Sequence, residues 1–246
     1  GWPALDPTAG QLVLSPHLDD AVLSSWSTLT GPGDVEVANL FTGRPAPGVL
    51  THYDRIAGAT SSAELMARRE REDRAALATA GRRPTNLGLL EDEYRRRAPA
   101  LDGLLRALGA RVPRARSVLA PVAIGLHPDH VLARDVALAL LRAGWPVALY
   151  ADLPYCATYG WPPWVTGEAP DPHLDVEAHW EPALDALRRY GIAALARARR
   201  LDVDEQAAKL AALRRYVTQY PTLTRGPLDV LAHPAVLGYE VTWSLG

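Results

Sequence analysis

Apolar residues along this chain fall into short continuous runs separated by longer stretches of helical spacing. The run Gln11–Ser15 (QLVLS), bounded by Gly10 and Pro16, reads as a buried strand. A polar turn, His17-Leu18-Asp19-Asp20, follows it. AVLSSWSTL then carries apolar positions at helical spacing until Gly31-Pro32-Gly33 ends it. VEVANLF (35–41) reads as a second strand, completing a βαβ unit. Residues 42–62 are rich in Gly, Pro, Thr and Ser, a loop of the length that often serves as a lid. Helices are predicted over 63–79 and 100–109. SVLAPVAI (117–124) reads as a strand and leads into a second polar turn, Gly125-Leu126-His127-Pro128-Asp129-His130. A helix ending at Gly144 and a strand over 147–153 come next. A Pro/Trp/Gly-rich stretch (154–174), two helices (about 181–199 and 203–218) and a last strand near 239–245 complete the pattern. The alternation predicts an α/β fold: a three-layer, mostly parallel, Rossmann-like sheet with helices on both faces, in a single domain over 1–246.

Composition narrows the classes of function. The chain has 246 residues, 48% of them hydrophobic, which supplies one sizeable core, and its 22% charged residues are those of a folded protein. A formal charge of −2 provides no footprint for nucleic acid or anionic lipid. Lys209 is the single lysine among 26 basic residues, a coding bias without chemical meaning. The lone Cys156 excludes an intrachain disulfide and a cysteine metal cluster, and reads as packing. No apolar stretch is long enough to span a bilayer, and GWPALDPTAG has neither a basic nor an apolar leader segment. A cytoplasmic protein is expected, with no nucleic-acid or membrane partner. Oligomeric state is not legible in this pattern.

The chemistry is concentrated in the two polar turns. Each follows a predicted buried strand and precedes a predicted helix, which is the carboxyl edge where open α/β sheets bind ligands. One offers His17, Asp19 and Asp20; the other His127, Asp129 and His130. Imidazole and carboxylate suit zinc, and a set of two histidines and one carboxylate leaves a position for water. His17 and Asp20, and likewise His127 and His130, are three residues apart at a helix start, so each pair can face one point. A carboxylate left over beside a metal, such as Asp19, can take a proton from that water. The alternative is that Asp19 or Asp20 caps the following helix. Pro172-His173-Leu174-Asp175 repeats the first turn, but Val176 stands where the second Asp would be and no strand precedes it, so the repeat reads as coincidence. His52, His179 and His233 have no partner pattern. The chain carries no G-x-G-x-x-G after Ser15, no P-loop and no G-x-S-x-G, which argues against nucleotide binding and a serine hydrolase.

Ser15-Pro16-His17-Leu18-Asp19-Asp20-Ala21 resembles the A-H-P-D-D-E signature of the PIG-L/LmbE-like deacetylases, and His127-Pro128-Asp129-His130 resembles their H-P-D-H segment. KLAALRRYVTQ, from Lys209, is similar to a family helix of pattern K-x-x-A…Y-x-S/T-Q. The resemblance implies Zn2+ held by His17, Asp20 and His130, with Asp19 as general base and His127 beside the oxyanion. It also implies hydrolysis of an acetamide on a small N-acetylated sugar or glycosylated metabolite. The family pattern R-x-x-E-x-x-A-A falls on Arg69, which then contacts substrate, unless it pairs with Glu72 or Asp73 in solvent. Glu91, with Asp92 second, matches a family acid that binds sugar hydroxyls. Tyr155, just after the strand ending in Leu153, either lines the cleft or packs within the fold. Leu18 and Ala21 depart from the signature; the loss of the Glu at position 21 removes neither a ligand nor the base. Rival readings are a zinc amidase for a larger acyl group and a binding protein that kept the fold without catalysis. Trp161 and Trp164 either stack on a ligand or pack within their own loop.

Overall fold

The computed structural model describes residues 10–112, 117–224 and 229–246. The N-terminal segment without a leader pattern lies, apart from Gly10, outside the described residues. Strand β1 (Gln11–Ser15) is followed by two short helices, α1 (Asp20–Ser24) and α2 (Trp26–Thr30), and by β2 (Val35–Asn39). Next come α3 (His52–Ile56), α4 (Ser62–Ala78), β3 (Pro84–Asn86), α5 (Leu101–Arg111) and β4 (Ser117–Pro121). Helix α6 (Pro128–Arg142) leads to β5 (Val147–Tyr150), α7 (Tyr155–Tyr159), α8 (Pro163–Thr166) and α9 (Val176–Arg189). The chain finishes with β6 (Ala194–Arg200), α10 (Val203–Leu213), α11 (Tyr220–Leu223), α12 (Pro234–Leu237) and β7 (Tyr239–Leu245).

Among the described residues, seven strands form one sheet in the order β3-β2-β1-β4-β5-β7-β6. The first five are parallel, β7 runs antiparallel to β5, and β6 runs antiparallel to β7. The apolar runs explain the parallel part: Val13, Leu14, Val118, Ala120 and Leu149 are completely buried, as strands covered on both faces must be. From β1 the chain moves to β2 and β3 on one side and later to β4 and β5 on the other, so strand order reverses between β1 and β4. The crevice beyond the carboxyl ends of these two strands is the binding position of such sheets, and both polar turns open into it. No helix among the described residues is long and apolar enough to cross a membrane.

Several predicted bounds need correction. The strands expected over 35–41, 117–124 and 147–153 end at Asn39, Pro121 and Tyr150. The helix expected over 181–199 stops at Arg189, and 194–200 is the edge strand β6. ALARARR is rich in helix formers, but Gly191, in the left-handed region at φ 67°, ends the helix, and the segment then pairs with β7 from Ala194–Leu245 to Arg200–Tyr239. The helix expected over 203–218 ends at Leu213. The loop 42–62 holds helix α3. The helix after the first turn is two helices broken at Ser25, because Glu240 from β7 takes up the N-terminus of α2. Its carboxylate accepts from the Trp26 and Ser27 amides at 2.7 and 3.0 Å and from Lys209 Nζ at 2.9 Å. Lys209 is fully buried, so its charge and that of Glu240 offset each other in the interior.

Candidate active site

The turn after β1 is closed by its own side chains. Ser15 Oγ donates to the His17 carbonyl and accepts from the Ala21 amide, and Asp20 Oδ2 accepts from the His17 amide at 2.7 Å. Asp19 stands in the N-cap position of α1 but makes no capping bond. Its carboxylate is buried in the cleft instead, so the capping alternative does not describe it.

The turn after β4 is strained. Ala123 and Leu126 have φ of 68° and 55°, a left-handed conformation that costs roughly 1–2 kcal/mol per non-glycine residue. Gly125, at φ 81°, meets two constraints: a Cβ there would also lie 3.2 and 3.3 Å from the rings of Tyr159 and Tyr155. Asp152, just past β5, holds this turn by accepting from the Ile124 amide at 2.9 Å.

The two turns bring three donor atoms together. His17 Nδ1 lies 3.4 Å from Asp20 Oδ2 and 3.3 Å from His130 Nε2, and His130 Nε2 lies 3.4 Å from Asp20 Oδ2. Each imidazole turns its other nitrogen to a buried carboxylate. His17 Nε2 is 3.0 Å from Asp129 Oδ2, and His130 Nδ1 is 2.6 Å from Asp152 Oδ1. Protons on these outward nitrogens leave the inward ones as lone-pair donors. Asp129 is fixed in turn by the Asp92 amide at 3.0 Å and by Arg95 Nη1 at 2.5 Å, while Arg95 lies over the Phe41 ring.

The field differs at each carboxylate. Burial, together with the charge of Asp20, pushes Asp19 up to about 7 against the pull of Arg69. Asp20 is equally buried, yet His130 and His17 hold it down at about 2. His127 is pushed down to about 4 by burial and by the imidazoles of His17 and His130. It is therefore neutral at pH 7. Its Nδ1 accepts from the Asp129 amide at 3.2 Å, which places its proton on Nε2. All three imidazoles, His17, His127 and His130, offer nitrogens within 4.8 Å of one another.

Arg69 does not pair with Glu72 or Asp73 in solvent. Its Nη1 lies 2.9 Å from Glu91 Oε1, and its Nε donates to Gln219 Oε1 at 2.9 Å. Glu72 binds Thr218, and Asp73 is buried between Tyr216 and Asn39. Arg69, Glu91 and Tyr155 all line a cavity of about 990 Å³ together with His17, Asp19 and His127. Trp161 and Trp164 are not among its lining; they pack with Trp180 and Trp243. The repeated motif at His173 is exposed in a turn, and His52, His179 and His233 are exposed as well.

Asp152 and Gln219 were missed as candidates. A signal existed for each: Asp152 is the first acidic residue at the carboxyl end of a buried strand, at the same sheet edge as the two turns, and Gln219 ends the K-x-x-A…Y-x-S/T-Q pattern. Gln219 Nε2 donates to the Leu18 carbonyl at 3.1 Å, joining Arg69 to the first turn.

Known proteins resemble this chain in sequence and in fold. A 2'-N-acetylparomamine deacetylase of Streptomyces fradiae is 33% identical over 160 residues, which cover 58% of this chain and 57% of that protein; the match thus spans little more than half of the relative's length. The A40926 pseudoaglycone deacetylase Dbv21 superposes with a TM-score of 0.73 at 28% identity, covering 98% of both chains. A triple mutant of a deacetylase of the teicoplanin biosynthetic pathway superposes with a TM-score of 0.75 at 25% identity, covering 97% of this chain and 98% of that one. Residues 12–141, which contain both turns, match the family model described as PIG-L, GlcNAc-PI de-N-acetylase. The resemblance carried by the His17 and His127 turns is thereby borne out, and the chain belongs to the PIG-L family of de-N-acetylases.

Proposed function

We propose that the protein hydrolyses the N-acetyl group of an amino sugar within a small glycosylated metabolite, using zinc held by His17, Asp20 and His130. One observation carries this reading. Three donor atoms lie 3.3–3.4 Å apart beside Asp19, a buried carboxylate with no capping duty. Four-coordinate zinc with bonds near 2.1 Å needs donors about 3.4 Å apart, so the donor set fits the ion in spacing and in chemistry. When bound, such an ion supplies a Lewis acid for a carbonyl and lowers the pKa of water.

The chain's own groups supply the rest. Asp19 accepts a proton from the attacking water; a neighbouring dication favours its ionised form, the form a base needs. His127, neutral with its proton on Nε2, donates a hydrogen bond to the oxygen that becomes negative. A neutral imidazole is a poor acid at pH 7, so protonation of the leaving amine falls to Asp19. Arg69 and Glu91 bind sugar hydroxyls, and Tyr155 walls the acyl side. The names of the relatives, a 2'-N-acetylparomamine deacetylase and an A40926 pseudoaglycone deacetylase, support an N-acetyl group on a metabolite. Helix α10 packs on α1 and α4, and α5 on α6, which supports helices layered around one sheet in a single catalytic domain.

Purified protein incubated with N-acetyl amino sugars is expected to release one acetate per free amine formed, by mass spectrometry. A chelator abolishes the release and added zinc restores it. Hydrolysis indifferent to chelation would remove the metal from the mechanism, and no release from any N-acetyl sugar would remove the function.

A further inference from the structure

The cavity does not end at the charged groups. Its outer rim carries Tyr53 and Ile56, which are 71% and 60% exposed and are among the most exposed large apolar side chains described. Both belong to α3, a single helical turn in the segment after β2. Its position is built. Thr51 and Asp54 form a capping box, and Asp54, only 2% exposed, accepts from Ser62 Oγ and, at 2.9 Å, from Tyr94 Oη. The buried face of α3 is therefore polar and bonded, while its apolar face stands at the cavity mouth. Pro221 and Leu223 of α11 line the same cavity and add to this apolar lip. A fixed apolar surface continuous with a binding cleft has the character of a ligand contact.

Topology says which end of a substrate meets this lip. Helix α3 and Glu91 follow β2 and β3, on one side of the strand-order reversal. His127 and Tyr155 follow β4 and β5, on the other. The lip segments are also tied to the Arg69–Glu91 pair: Gln219, which accepts from Arg69, directly precedes α11, and Tyr94, which donates to Asp54, lies three residues beyond Glu91. An acetamide whose carbonyl faces His127 sends its sugar toward Arg69 and Glu91, and whatever the sugar carries continues over Tyr53 and Ile56. We infer that the substrate is an amino sugar bearing an apolar, aromatic or alkyl, aglycone, and that Tyr53 and Ile56 select for it. The inference rests on the deacetylase reading above, and at about 990 Å³ the cavity has room well beyond one sugar ring.

The test compares wild type with the double variant Tyr53→Ser, Ile56→Ser, whose exposed positions leave the core intact. The probes are N-acetylglucosamine, its 2-naphthyl glycoside and N-octanoylglucosamine; binding of 2-naphthyl glucosaminide, already deacetylated, is measured separately by calorimetry. In wild type, kcat/KM for the naphthyl glycoside is expected to exceed that for the free sugar about tenfold, the scale of burying one apolar ring face. In the variant this ratio falls toward one, and calorimetric Kd rises about tenfold. A ratio near one in wild type, an unchanged ratio in the variant, or a gain confined to the N-octanoyl amide would overturn the inference. Lip-dependent binding of the amine with no hydrolysis of any probe would uphold the lip and overturn the deacetylase reading instead.

Discussion

Replacing Asp19 by Asn is expected to lower kcat by about 10²–10⁴-fold, the usual contribution of a positioned general base, while leaving the metal content of the protein unchanged. The two halves of this result separate Asp19 from its neighbour. Asp20 supplies one corner of the donor triangle and binds the His17 amide, so changing it disturbs the turn itself. Asp19 does neither. It occupies the N-cap position without making the capping bond, so the amide substitution removes a proton acceptor and little else. Steady-state kinetics on an N-acetyl sugar, with metal analysis of the same preparation, checks both halves. Activity near wild type would take Asp19 out of the base role, and loss of metal would make it a ligand.

His130→Ala is expected to reduce bound zinc from about one per chain to less than a tenth after dialysis. This residue spans the two turns: its Nε2 faces Asp20 and His17, and its Nδ1 is bound to Asp152. Removing it leaves one imidazole and one carboxylate of the three-atom set, both from the first turn. Asp152→Asn acts more gently, because it loosens the orientation of His130 without deleting a donor. Loss of such a carboxylate partner typically weakens metal binding 10–100-fold. Elemental analysis over a range of zinc-buffered dialysis conditions measures both variants. Full retention of zinc by the His130 variant would mean that the three-atom set is wrong.

Local pattern carried much of the architecture and of the site. β1 and β7 are read to the residue from their apolar runs, and α4 and α6 to within a few residues, because each is bounded by its own punctuation. The two turns are legible because a strand end and a helix start fix where their side chains emerge. β6 is not legible. Every one of its residues is exposed, so it has no apolar alternation, and only pairing with β7 makes it a strand. The three-residue β3 leaves equally little pattern. The carboxylates behind the histidines are hidden for a related reason. Asp152 and His130 are 22 residues apart, and Asp129 and His17 are 112 apart, so their contact is a property of the folded sheet alone. The same holds for Glu240, which reaches α2 from the last strand.

Anomalous diffraction recorded on both sides of the zinc absorption edge, from crystals grown with the metal, tests the site most directly. The expected result is a single peak in bonding distance of His17 Nδ1, Asp20 Oδ2 and His130 Nε2, with His127 and Asp19 standing off it. A peak bonded to His127 in place of Asp20, or no peak at this sheet edge, would contradict it.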